Sequence, residues 1–164
     1  MAEAGLALGR VIDTEDPEGL LRIRVQRLDR PSGVESDWME IVRPMASDGA
    51  GVVTMPEIDD VAVIAHVGTR PMVLGFVYSG TQTPPVTDVQ ERVIQTPNGH
   101  RIVLADNDAD GITIADAHGN EIVMNSEGIT ITSAGKIAVS ANSTVELEAS
   151  ATTTIKGATV ELNP

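Results

Sequence analysis

Asp106-Asn107-Asp108-Ala109-Asp110-Gly111 is the run in this sequence that sets side chains in a known ligating order. Carboxylates at alternate positions with glycine at the bend are the arrangement of calcium loops, where hard oxygens meet a hard cation. An EF-hand loop would carry a bidentate Glu at its twelfth position. Here that position is Ala117, with Asp116 one residue early, and no helical periodicity flanks the run. Asp106, Asp108 and Asp110 therefore make an incomplete calcium candidate; the competing reading is an acidic turn between strands at Ile102–Leu104 and Ile112–Ile114. His66, His100 and His118 lie in separate segments with neither His-x-His nor His-Glu-x-x-His spacing, so no metalloenzyme is indicated. Cysteine is absent, which removes thiolate catalysis, disulfides and thiolate metal sites together. No Gly-x-Ser-x-Gly elbow, phosphate-binding loop or dinucleotide fingerprint occurs. Any of the 24 Asp and Glu residues can be paired on paper as an acid and a base, which carries no information. The expectation is a chain without catalytic residues or cofactor.

The elements that would position these residues are strands. At 164 residues the chain has room for one domain, or for a small domain and an extension. Trp38, Phe76 and Tyr78 are its only Trp, Phe and Tyr, so whatever folds after Tyr78 builds a slim core from Val, Ile, Leu, Ala and Thr. A net charge of −13 opposes binding to a phosphate backbone, which gains affinity through Lys and Arg. Partners should be proteins, not nucleic acid. Neither a basic-then-apolar leader nor an apolar run long enough for a membrane span is present, so the expectation is synthesis in the cytoplasm without a signal peptide.

Val11-Ile12, Leu21–Val25, Trp38–Val42, Val61–Ala65 and Met72–Tyr78 read as short strands separated by turn residues. In Leu21–Val25 the alternation of Leu21, Ile23 and Val25 with Arg22 and Arg24 predicts one buried and one wet face. Short strands without helical periodicity suggest a closed barrel of the OB type over residues 1–80. Thr81–Asp88, with Pro84-Pro85, opens a linker expected over 81–92. Beyond it, Thr96-Pro97-Asn98-Gly99 and Asp116–Asn120 read as hairpin turns between extended runs.

From Ile129 a repeat appears. Apolar pairs at Ile129/Ile131, Ile137/Val139, Val145/Leu147 and Val160/Leu162, with Thr153/Ile155 between, step by about eight residues through small and polar spacers. A single-chain β-solenoid is the alternative, but a repeat of about eight residues leaves little length for a complete coil with corners, so the expectation is that three chains wind together. The fold expected is all-β: an OB barrel, then an intertwined trimeric β-helix or β-prism over 93–164. Its trimer core is Ile129, Ile131, Ile137, Val139, Val145, Leu147, Ile155, Val160 and Leu162.

The ordered set Gly9-Arg10-Val11-Ile12-Asp13, Asp16-Pro17-Glu18-Gly19-Leu20, Ser36-Asp37-Trp38, Pro44-Met45-Ala46, Pro56–Val63 and Arg70–Tyr78 resembles the OB domain of VgrG-type and phage baseplate spike proteins. Thr96–His100 and Gly119–Ile122 resemble the start of that family's shaft. The resemblance implies a homotrimer with an OB collar and a β-helical needle, at the centre of the baseplate of a contractile injection system and acting mechanically on a target envelope. Met1–Leu8 leaves no room for the hub domain of large VgrG proteins, so a separate hub protein is expected at the OB end. No His-x-His follows His118 to ligate a metal at the tip, so Leu162, Asn163 and Pro164 are expected to dock a PAAR-repeat tip protein. The alternative is a trimeric fibre that binds or cleaves an envelope polysaccharide.

Overall fold

The computed structural model describes residues 5–31, 33–107 and 111–161. They form two compact units, Met1–Pro85 and Val86–Pro164, and every regular element is a strand.

In the N-terminal unit, β1 (Leu6–Asp13), β2 (Arg24–Arg27), β3 (Glu40–Ile41), β6 (Val61–Val67) and β7 (Arg70–Val77) form a sheet in the order β2-β1-β6-β7-β3. The pairs are antiparallel except β3 with β7, which is parallel. A hairpin of β4 (Ala46–Ser47) and β5 (Ala50–Gly51), which the sequence pattern does not announce, stands apart from it. Val11, Ile23, Val25, Met39, Ala62, Ile64 and Val73 make the core. Val61–Ala65 occupies the central strand, as its apolar run requires, and Ala62 and Ile64 are fully buried. The core is aliphatic, and its strands approach closely. Gly9 lies where a Cβ would sit 2.6 Å from Val25 Cγ2 and 2.8 Å from Ile64 Cδ1, so β1 crosses the core only because that atom is missing.

The alternation read in Leu21–Val25 holds for Ile23 and Val25 and fails for Leu21. Leu21 is exposed and sits at φ 56°, outside any strand. The cause is Asp16. Its carboxylate accepts the backbone N–H groups of Glu18 (3.1 Å), Leu20 (3.1 Å) and Arg22 (3.2 Å), drawing the chain into a loop. It also accepts two bonds from the Arg22 guanidinium, at 2.8 and 2.7 Å. Arg43 holds the far side, donating to Leu21 O at 3.2 Å and Thr54 O at 3.1 Å. Two local networks thus outweigh the strand propensity of one Leu.

In the C-terminal unit, β8 (Glu91–Gln95), β9 (Arg101–Ala105), β10 (Ile112–Ala115), β11 (Glu121–Asn125) and β12 (Gly128–Thr132) form an antiparallel meander in chain order. Residues 133–161 contain no assigned strand. Near the end of the N-terminal unit, Gln82 ties the chain back to the sheet, donating to Asp60 Oδ1 at 2.7 Å while its own Oε1 accepts Ser79 Oγ at 3.0 Å.

Two outcomes follow for the N-terminal unit, both readable through the fluorescence of Trp38, the sole tryptophan. Gly9→Val overpacks the core and costs about 1–3 kcal/mol in denaturant unfolding; an unchanged midpoint would refute the close approach. The Arg22 guanidinium holds the Asp16 carboxyl well below the usual carboxylate range, helped by the loop N–H groups and opposed by burial. Its contribution to stability is therefore complete above the unfolded-state pKa of about 4 and fades as pH falls below it. Asp16→Asn is expected to unfold at a lower temperature than wild type at pH 7, with the gap narrowing toward pH 2; a gap independent of pH would remove the charge from the account.

Candidate functional site

Side chains alternate between the faces of a strand, and residues paired across a ladder share a face. In the C-terminal sheet this rule produces one continuous row of isoleucines. Ile94 pairs with Ile102, Ile102 with Ile114, Ile114 with Ile122, and Ile122 with Ile131. A second row on the same face runs Arg92, Leu104, Ile112, Met124, Ile129. On the opposite face the central row is Val93, Val103, Thr113, Val123, Thr130, flanked by Gln95, Arg101, Ala115, Glu121 and Thr132. One face is therefore built almost wholly of large aliphatic side chains.

That face is uncovered. Ile94 is 66 % exposed, Ile129 71 % and Ile131 61 %, and Ile102, Leu104, Ile112 and Ile114 all stand open as well. Among the described residues of this unit no side chain is buried, and the whole core cluster lies between Val11 and Val73. Covering an exposed aliphatic side chain stabilises by on the order of 1 kcal/mol or more. Seven of them on one face represent about 7 kcal/mol, comparable with the entire stability of a typical domain. A unit with no core of its own and that much uncovered apolar surface must be completed by another chain.

The face is framed by polar side chains. At one end Asp116 accepts the N–H groups of His118 (2.7 Å) and Asn120 (3.0 Å) and the Asn120 side-chain amide (2.6 Å). The Asn120 bonds, first of all the side-chain one, lower its pKa to about 2. Ser133 Oγ donates to Asn120 Oδ1 at 2.7 Å, and His100 Nδ1 accepts the Ala117 N–H at 3.3 Å. The His100 and His118 rings meet edge to face at 5.8 Å. At the other end Arg92 forms an ion pair with Asp106.

Of the calcium candidates, Asp106 is thus engaged by Arg92, and Asp108 and Asp110 lie outside the described residues. Gly111 is explained without any ion. It takes φ 58°, and a Cβ there would lie 2.1 Å from Met124 O on β11. Among the described residues no three His, Asp or Glu side chains are grouped to hold a metal.

The residues expected from the repeat divide into two sets. Ile129 and Ile131 close the two apolar rows on β12. Ile137, Val139, Val145, Leu147, Ile155 and Val160 follow in chain without ladder partners among the described residues, and each is exposed by 46–77 %. Leu162, and with it Asn163 and Pro164, lies outside the described residues. Sequence reasoning missed Ile94, Ile102, Leu104, Ile112, Ile114, Ile122 and Met124 as members of the same surface. Their signal was present, since 102/104, 112/114 and 122/124 are the same i, i+2 apolar pairs as 129/131.

Two family models match the chain. Residues 7–78 match the type VI secretion system/phage-baseplate injector OB domain, and residues 91–164 match the phage baseplate V C-terminal trimerisation domain. A search of curated proteins finds no match. The trimerisation match supports a homotrimer and fits the uncovered face, and the pairing of the two domains implies assembly in a phage or tail-like particle. With an OB barrel followed by a trimerisation sheet over nearly all of its length, the chain belongs to the family of VgrG-type, phage baseplate spike proteins.

Proposed function

We propose that three copies of this chain form a mechanical spike at the centre of a baseplate in a contractile injection system, one that punctures a target envelope when it is driven forward. The observation that carries the reading is the aliphatic face of β8–β12, uncovered in one chain and belonging to a trimerisation domain. Turned toward a common axis, three such faces give a dry core, and residues 133–161 continue it. Ile137, Val139, Val145, Leu147, Ile155, Val160 and Leu162 extend that core as the chains wind into a β-helical shaft. Backbone groups without partners in one chain then pair between chains, and a shaft so bonded transmits an axial push without buckling. The non-enzymatic reading is supported by the matched families, which are structural baseplate domains. A separate hub protein engages the OB barrel over residues 1–80, the part of the expected 81–92 linker that precedes β8 joins it to the shaft, and a PAAR-repeat protein seats on Leu162, Asn163 and Pro164. These partners are supported by the family resemblance and by the absence of His-x-His after His118.

Native mass spectrometry of the full chain is expected to give the mass of three chains; a mass of one chain would sink the reading. Ile114→Asp places a charge in the middle of the aliphatic row, a burial penalty of several kcal/mol. It should lower the native mass about threefold, whereas Thr130→Asp on the opposite face leaves the trimer intact. Deleting 162–164 should abolish co-purification with a PAAR-repeat protein while the trimer survives; retained binding would move that partner elsewhere. Hydrolysis of an envelope polysaccharide by the purified trimer would favour an enzymatic fibre instead.

A further inference from the structure

Of the ten register positions in the two central rows of the aliphatic face, nine are apolar and the tenth is Arg92. Its place is an edge: β8 begins the meander and has a ladder partner only on the β9 side. Arg92 is held there twice, by the ion pair with Asp106 and by donation from Nη1 to Gln90 O at 3.1 Å. Both side chains of the pair are largely exposed, at 61 % and 62 %. An ion pair so exposed adds little stability, and β8 is already fastened to β9 by five register pairs. Stability therefore does not explain a charge among isoleucines.

Its position does. A sheet with an aliphatic face and an open edge is a template for adding further copies without limit. The two edges of this sheet are unlike. At β12, Gly128-Ile129-Thr130-Ile131-Thr132 carries no charge, and the chain runs on from it into the apolar repeat. At β8 the corner of the face is occupied by Arg92 and Asp106. We propose that Arg92, oriented by Asp106, is a guard on the β8 edge that makes association stop at a closed trimer. The inference rests on the trimer reading above. Laying the β8 edge and its face against another copy would strip water from both charges without supplying new partners. A closed trimer leaves the same guanidinium at the rim, in water. Assembly is thereby directed onto the β12 side, where the shaft continues.

The test is sedimentation velocity of the full chain over a range of concentrations. Wild type and Arg92→Lys should sediment as one trimeric species. Arg92→Ile and Arg92→Leu, which complete the aliphatic row, should form trimers that associate further, raising the weight-average mass at least about twofold at high concentration. A monomeric wild type would refute the trimer reading itself. With a trimeric wild type, the guard is refuted if both apolar variants keep the single species. It is equally refuted if both lose the trimer while Arg92→Lys keeps it, because Arg92 would then be a stabilising contact.

Discussion

Burial decides the behaviour of the second half of this protein. A five-stranded meander pairs its strands across four ladders but leaves one aliphatic face open, and among the described residues of its own unit no helix or second sheet lies on that face. Layers of secondary structure are stable when apolar faces are paired. With no buried residue among those described in the unit, the missing layer has to be another molecule. The family match supplies the stoichiometry, and the row of five isoleucines supplies the physical reason for it.

The N-terminal unit solves the same problem within one chain. Seven aliphatic and Met side chains close a small core, and the strands come near enough that Gly9 is required where β1 crosses Val25 and Ile64. Its loops are organised by ionic and backbone bonds, above all those of Asp16 and Arg43. The two halves therefore divide the work: one is self-sufficient, and the other is completed only by association.

Much of this was legible in the sequence because it rests on period. Alternation marked the strand around Ile23–Val25, apolar runs bounded by turn residues marked those at Val61–Ala65 and Met72–Val77, and Asn98-Gly99 marked a hairpin turn that β8 and β9 flank. Leu21 was misread because an Asp five residues earlier collects the N–H groups of its neighbours, a competition that alternation does not register. The β4–β5 hairpin, with two residues per strand, is too short to show a period.

The sequence by itself determined that the chain is all-β, acidic, free of thiol chemistry and built with an eight-residue aliphatic repeat from Ile129 onward. It marked Ile129 and Ile131 as part of an assembly surface. Only the tertiary structure decided that Ile94, Ile102, Ile114 and Ile122 stand in line with Ile131, and that Arg92 meets Asp106 at the corner of that face. The reason is register. Period 2 says that neighbours alternate, but which residue of one strand faces which residue of the next is set by the lengths and geometry of the turns between them.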